Sequence, residues 1–294
     1  MSFSRTNSGI SNSHLFYGVD LIVYTEGGKK SFSAEEALNG EANESSIDVK
    51  FWSGIFNSHG LNKIVKFRAV GSKTASSDIC KKIESGEIHN VVVAKDRDLE
   101  FFQSTNIDSP YILYTKGYSW ENDVFVEENT RNTIASLITV EEIPEQLDHD
   151  ISVAFRDFKL IGKRLLRLEL IFQSQGVKFI TGVGGERFCN PKKTPRLDRG
   201  KLMQYIECKK TEITRPAFTH IITSEYCPLL CCYGKLIEDL SYNVITYVLK
   251  KISNHKSTPK SIVEMLMLDK YIQSVRDTND EYYSNLVSRL NAVA

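Results

Sequence analysis

The chain has no excess of charge of either sign: 37 lysines and arginines are matched by 37 aspartates and glutamates over 294 residues. A nucleic-acid partner therefore cannot be read from global charge and has to show as local basic patches. Long apolar runs are missing too. No stretch reaches the ~18 uninterrupted apolar residues of a membrane span, and the polar, serine-rich N-terminus lacks the apolar region of a signal peptide. None of the six cysteines stands at CxxC spacing or near a histidine at zinc-finger spacing. "CPLLCC", Cys227 to Cys232, leads into an apolar helical pattern and reads as buried free thiols. The histidines are scattered and form no Ser/His/Asp or Cys/His set. "GVGGERF" lacks the full GxGxxG and does not open a βαβ unit, and "VGSK" is a poor match to the Walker P-loop. There is no internal repeat. These absences leave a cytoplasmic protein with no membrane segment as the expectation.

What is present can fill a core: 41% of residues are apolar. Residues 1–15 are Ser/Asn-rich and read as a loose tail. "VDLIVYTEGG" reads as a strand entering a glycine turn, and 29–48 as a loop or partly helical insertion. "VKFWSGIFNSHG" places Phe51, Trp52, Ile55 and Phe56 on one helical face with Gly60 as its stop. Strand patterns at 63–71, 90–95 and 111–117 alternate with helical patterns at 74–86 and 118–139. This alternation predicts an α/β fold, with a mostly parallel sheet flanked by helices. After "EEIPEQ" the pattern changes to a long amphipathic helix over 150–173, a basic Gly/Pro-broken loop, and helices near 229–253, 258–276 and 279–292. A boundary near 140–150 gives an α/β domain over 16–142. A mainly α-helical C-terminal domain follows over 143–294, for nucleic-acid binding and partner contact.

Ligands of parallel sheets gather beyond the C-terminal ends of the strands. Glu26 of "YTEGG" and the pair Asp96 and Asp98 of "AKDRD" fall at two such ends. Residues i and i+2 of an extended segment share a face, so the two aspartates repel unless a cation neutralises them. Mg²⁺ takes one or two carboxylates and fills its other positions with water and phosphate oxygens. Strand ends also favour Asp, Glu and Gly as turn residues; the two ends together, not either alone, carry the metal reading. Gly27 and Gly28 tighten the turn and allow a phosphate to approach the backbone. Lys73, beside a helix N-terminus, is placed to hold a phosphate. Glu121 reads as a further carboxylate near the metal, or as an ordinary first-turn residue facing the helix dipole.

Basic residues concentrate in the second half. Lys159, Lys163 and Arg167, with Arg164 adjacent, form a stripe that has the usual look of a solvated helix face. The loop carrying Arg187, Lys192, Lys193, Arg196, Arg199 and Lys201 against Asp198 is the preferred nucleic-acid contact. Its candidate binding residues are Lys192, Lys193, Arg196, Arg199 and Lys201.

Glu26 in "TEGG" and Asp96 and Asp98 in "KDRD", in this order on an α/β alternation, resemble the TOPRIM domain. That is the Mg²⁺-binding fold of topoisomerases, bacterial primases and overcoming-lysogenization-defect nucleases. The resemblance covers roughly residues 17 to 135. "YTEGGKKS", "FW", "VGSK", "DRDL" and "TKGYSWEND" together are similar to the AriB family, nuclease effectors of the PARIS (phage anti-restriction-induced) defence system. The resemblance implies a Mg²⁺- or Mn²⁺-dependent endonuclease with Glu26, Asp96 and Asp98 on the metal and Glu121 and Lys73 assisting. It implies an inhibitory ABC-type ATPase partner, AriA, release on phage infection, a homodimer when active, and cleavage of host tRNA. A DNA-nicking enzyme and a non-catalytic docking subunit stay open as alternatives. Many TOPRIM nucleases carry an aspartate a few residues after the glutamate; here the stretch is "EGGKKS", basic instead.

Overall fold

A computed structural model describes residues 6–103, 106–181, 188, 194–214, 225–253 and 258–293. The chain divides into two compact units, Met1–Lys116 with Ile272–Ala294, and Gly117–Tyr271. Among the described residues all the strands lie in the first unit.

Of the stretch expected as a loose tail, residues 6–15 are described and lie largely in two short helices. Thr6 caps α1 (Asn7–Ser11) by accepting from the Gly9 amide, and α2 (Ser13–Tyr17) ends on Gly18 in the left-handed region. Ile10 is buried in the main apolar cluster, and anchoring that side chain holds the segment in place. Then come β1 (Leu21–Thr25), α3 (Ala34–Asn39), α4 (Ile47–Ser58), β2 (Val65–Ala69), α5 (Lys73–Glu84), β3 (Val91–Lys95), α6 (Glu100–Gln103) and β4 (Ile112–Tyr114). The four strands are all parallel in the order β2-β1-β3-β4. Both sides of β1 and β3 are buried, which explains why "LIVYT" and "VVVAK" read as continuous rather than alternating runs.

One face of the sheet carries Ile22, Tyr24, Val91, Val93 and Ile112, packed with Ala37 and Leu38 of α3 and with Ala75 and Ile79 of α5. On the other face Val23 is in register with Phe67, and Phe67 stacks on Phe56 of α4 with centroids 5.7 Å apart. The four α4 residues expected on one face are all buried. Phe51 and Trp52 meet Tyr283 edge to face at 6.0 and 6.1 Å. Tyr283 belongs to the last helix of the chain, which was expected to be part of the helical half. Its hydroxyl accepts from the Lys116 amide, and Tyr282 donates to the Tyr114 carbonyl at 2.9 Å. These contacts place that helix with the sheet.

The second unit holds α7 (Trp120–Val124), α8 (Glu127–Leu137), α9 (Glu145–Gln173), α10 (Arg199–Lys210), α11 (Pro228–Cys231), α12 (Gly234–Ser253) and the start of α13 (Lys260–Thr278); α14 (Glu281–Ala292) is the helix already placed with the sheet. The break read near 140–150 exists between α8 and α9, but both helices pack within the second unit. Buried amides tie this unit together. Asn122 donates to the Leu229 and Cys232 carbonyls, and Asn129 to those of Val124 and Met267. α11 lies so close to α9 that a side chain at Gly162 would run into Pro228. Of "CPLLCC", Cys231 and Cys232 are buried, but Cys227 is exposed, contrary to expectation. It precedes the first turn of α11 and so stands outside the packed face.

Truncating the aromatic cluster should cost what a buried aromatic usually does. Trp52→Ala is expected to lower the unfolding free energy by about 3–5 kcal/mol, read from the urea midpoint. A change below about 1 kcal/mol would show that this cluster is not the core of its unit.

Candidate active site

Strand order places the site. β1 is followed by β2 on one side and, later, β3 on the other, so the connections leave the sheet in opposite directions between β1 and β3. A parallel sheet opens a crevice at such a switch point, beyond the carboxyl ends of its strands. Thr25 and Ala94 are register partners, so Glu26 and Lys95 emerge side by side at that point. On the other side of β1, Ala69 is in register with Thr25, and the chain reaches Lys73 at the start of α5 a few residues later. Ser72 caps α5 by accepting from the Ala75 amide.

Three of the expected residues come together. Lys73 and Asp98 form an ion pair. Glu26 feels the Asp98 carboxylate and the Lys73 ammonium, and its Oε1 accepts a 2.6 Å hydrogen bond from Ser76 Oγ. Protein surrounds most of Glu26, and this desolvation outweighs the Ser76 hydrogen bond and the Lys95 charge. The nearby Asp98 carboxylate adds to the upward push, and the pKa rises to about 7. Lys95 is nearly buried at the end of β3 and pairs with Glu100 at 2.7 Å. Burial disfavours its charge, but the Glu100 and Glu26 carboxylates outweigh that and raise its pKa.

Ser76 and Lys95 were not singled out from the sequence. Lys95 is the residue just before Asp96, and Ser76 lies one helical turn after Lys73. Only the sheet register and the face of α5 give them a meaning.

The Asp-x-Asp pair does not behave as an extended i, i+2 pair. β3 ends at Lys95, and Asp98 sits in a turn at φ +51°, in the left-handed region that aspartate tolerates better than most residues. The Arg97 amide donates to Thr115 Oγ1 at 3.0 Å and fixes this turn against the end of β4. Asp96 follows β3 directly and is partly buried. Among the described residues, no group of three or more His, Cys, Asp or Glu side chains is gathered to hold a metal ion. In place of the expected trio of Glu26, Asp96 and Asp98, the geometry brings the carboxylates of Glu26 and Asp98 within electrostatic reach of each other, with Lys73, Ser76 and Lys95 around them.

This donor set fits one hard cation. Both groups are carboxylates, oxygen donors of the kind a hard cation takes, and Mg²⁺ needs only one or two of them.

The glycines act differently from expectation. A side chain at Gly27 would collide with Asp48 and Ser46 at the start of α4, and one at Gly28, at φ +135°, with Asn43. The space that would admit a phosphate is filled by the protein itself. These glycines let α4 and the 41–46 segment close onto the strand end.

Glu121 belongs to the second unit, where it is nearly buried. It pairs with Lys235 at 2.7 Å and accepts from Ser119. Lys235 also pairs with Glu238, and Lys260 with Glu238 and Asp239. Burial works against the Lys235 charge, but Glu121 and Glu238 outweigh it and hold its pKa above the ordinary lysine range. Glu121 is therefore part of a buried ionic network.

Of the expected nucleic-acid residues, Lys192 and Lys193 lie outside the described residues, as does Arg187. Arg196 is paired with Asp157 at 3.3 Å, while Arg199 and Lys201 are exposed at the start of α10.

No family model matches the chain, and no curated protein matches it. Among the described residues no helix is long and apolar enough to cross a membrane.

The raised pKa of Glu26 gives a signed expectation. Between the ordinary value of 4.5 and about 7 the folded chain holds a proton that the unfolded chain has lost. The stability this group contributes is complete at low pH and is lost as pH rises through about 7. Glu26→Gln keeps an acceptor for Ser76 and removes the charge. It should be more stable than wild type at pH 8, by about 1–3 kcal/mol, with the gap closing toward pH 5. Equal urea midpoints at both pH values would mean that Glu26 is well solvated.

Proposed function

We propose that the chain is a Mg²⁺-dependent endonuclease of TOPRIM type. In this reading it is the toxic effector of a phage-defence (abortive infection) system, and cleaves host tRNA once released from an AriA-type ATPase. The observation that carries the nuclease reading is the placing of the Glu26 and Asp98 carboxylates near each other at the switch point of a parallel sheet, with Lys73 paired to Asp98. The step to tRNA, to phage defence and to the ATPase rests on the resemblance of the short motifs.

Glu26 and Asp98 would hold the ion, water and substrate oxygens filling its other positions. Mg²⁺ there supplies Lewis-acid polarisation of a phosphodiester.

The chain's own side chains do the rest. Ser76 fixes the Glu26 carboxylate, and its own position is set by a 2.9 Å bond toward the Lys73 carbonyl. Lys95 supplies a nearly buried positive charge beside Glu26 that opposes the effect of burial on its carboxylate. Lys73 is the more exposed partner of its pair, its side chain 55% exposed against 18% for Asp98. It neutralises Asp98 in the resting site and can turn to a substrate phosphate when Asp98 takes another partner. It stands at the N-terminus of a twelve-residue helix, which also favours an anion.

Purified protein incubated with total tRNA and with supercoiled plasmid, each with Mg²⁺, Mn²⁺ or EDTA, should give metal-dependent tRNA fragments. Glu26→Gln and Asp98→Asn should give none, a loss of at least a hundredfold on the scale of removing a principal electrostatic group. The same Mg²⁺ should raise the melting temperature of wild type and not of Glu26→Gln, since a ligand at a hundred times its Kd adds about 2.7 kcal/mol. Nicked plasmid with intact tRNA would replace this reading by a DNA enzyme. Absence of both cleavage and a Glu26-dependent Mg²⁺ shift would leave a docking surface.

A further inference from the structure

α9 buries Phe155, Phe158, Leu165 and Leu166 and turns a cationic face outward. Arg156, Lys159, Lys163 and Arg167 are all exposed, with Arg164 beside them. Their steps of three and four residues keep them on one face. From Arg156 to Arg167 they cover eleven residue steps, or about 16 Å at 1.5 Å per residue. The nearest acid of the helix, Asp157, is held by Arg196. Among the described residues no carboxylate pairs with any of the five.

This face is also one wall of an open groove of about 440 Å³. Arg156, Lys159, Leu160 and Lys163 line it from α9, and Glu225 and Tyr226 from the segment before α11. Three cations therefore face one carboxylate. Leu160 is 62% exposed, the most exposed of the large apolar side chains of a helix that buries Phe155, Phe158, Leu165 and Leu166.

We propose that this groove binds RNA, the cations of α9 holding the phosphate backbone while Tyr226 and Leu160 take an unstacked base. The inference rests on the nuclease reading for its substrate class, and places the main substrate grip on α9 instead of the basic loop.

Three features select RNA. A row of unpaired cations about 6 Å apart along a helix suits a strand whose phosphates repeat every few ångströms. A partly exposed tyrosine next to a leucine offers a platform that duplex DNA, with its bases stacked, has no use for, whereas RNA loops present splayed bases to such surfaces. Membrane binding would need a broad apolar face turned outward, and the apolar face of α9 is buried.

The test is binding of the full chain, in EDTA so that cleavage plays no part, to labelled tRNA, to a DNA duplex and to anionic vesicles over a range of salt. The variant Lys159→Gln, Lys163→Gln, Arg167→Gln should bind tRNA roughly tenfold or more weakly, and its plot of log affinity against log salt should be shallower by about two. All three positions are exposed, so its melting temperature should stay close to that of wild type. Arg156→Gln with Lys163→Gln gives a second, smaller variant with the same expected direction. Tyr226→Ala should weaken tRNA binding roughly fivefold or more without changing the salt slope. Lys250→Gln with Lys251→Gln, on exposed α12 positions, should change neither quantity.

Unchanged tRNA affinity and slope in the α9 variants would overturn the groove, and the nuclease reading would survive if those variants still cleave tRNA. Equal affinity for the DNA duplex, or binding to vesicles in place of tRNA, would overturn the assignment to RNA. Groove-dependent tRNA binding by a chain that cleaves nothing would keep the groove and overturn the nuclease reading.

Discussion

The end of the parallel sheet has to accommodate negative charge from two strands at once. Glu26 leaves β1 and Asp98 follows β3, and the switch in strand order opens the same space to both. Two carboxylates sharing such a space repel, and burial of Glu26 adds to the cost. The surrounding residues are arranged around this conflict. Lys73 reaches Asp98 from the start of α5, Ser76 reaches Glu26 from the next turn, and Lys95 brings a cation up through the sheet itself. The nearly buried Lys95, paired with Glu100, contributes little net stability, because desolvation offsets most of the attraction. Its presence makes more sense as a way of keeping a poised charge at a site than as reinforcement of the fold.

The rest of the first unit holds these residues in register. β1 and β3 are buried on both faces, so a slip of one residue would turn the wrong side chains to each helix layer. α4 and α14 lock one face through Phe51, Trp52 and Tyr283, and α3 and α5 cover the other. The left-handed turn at Asp98 costs about 1 kcal/mol or more. It is maintained by the Arg97 amide bonded to Thr115, on a segment that also carries the Thr115 amide bond to the Lys95 carbonyl. Asp98 shares the left-handed region with Asn90 and Asn279, and of the three it is the one that pairs with Lys73 beside Glu26.

Much of this architecture was legible because it depends on short-range pattern. Continuous β-branched runs gave the buried strands, and the 51-52-55-56 spacing gave the α4 face. The long apolar period over 150–173 gave α9, although the helix starts earlier, at Glu145. What was misread depends on contacts distant in sequence. Asp96 and Asp98 look like an extended pair until the chain turns at Asp98. Gly27 and Gly28 look like a phosphate turn until Asp48 and Asn43 occupy the space. Glu121 looks like a third acidic strand end until Lys235, more than a hundred residues later, claims it. α14 has the same amphipathic pattern as its helical neighbours, and only the edge-to-face packing of Tyr283 assigns it to the sheet. Ser76 and Lys95 are common residues in common positions, and no local signal distinguishes them.

The balance of 37 positive and 37 negative residues hides a separation of charge between inside and outside. In the second unit Glu121, Glu238 and Asp239 are nearly buried, and Lys235 and Lys260 are drawn in with them. Such a cluster is compensated at short range and projects little field into solvent, where screening already removes interactions beyond about 8–10 Å. The cations of α9 are not compensated in this way. Asp157, the acid nearest to them on the helix, is already bound to Arg196. What a polyanion meets at that helix is the exposed charge alone, which is positive over three turns. Composition sums both populations and returns zero. Partner charge is better judged from the acids and bases that remain after buried pairs are removed, and on α9 those are five exposed cations with no carboxylate paired to them among the described residues.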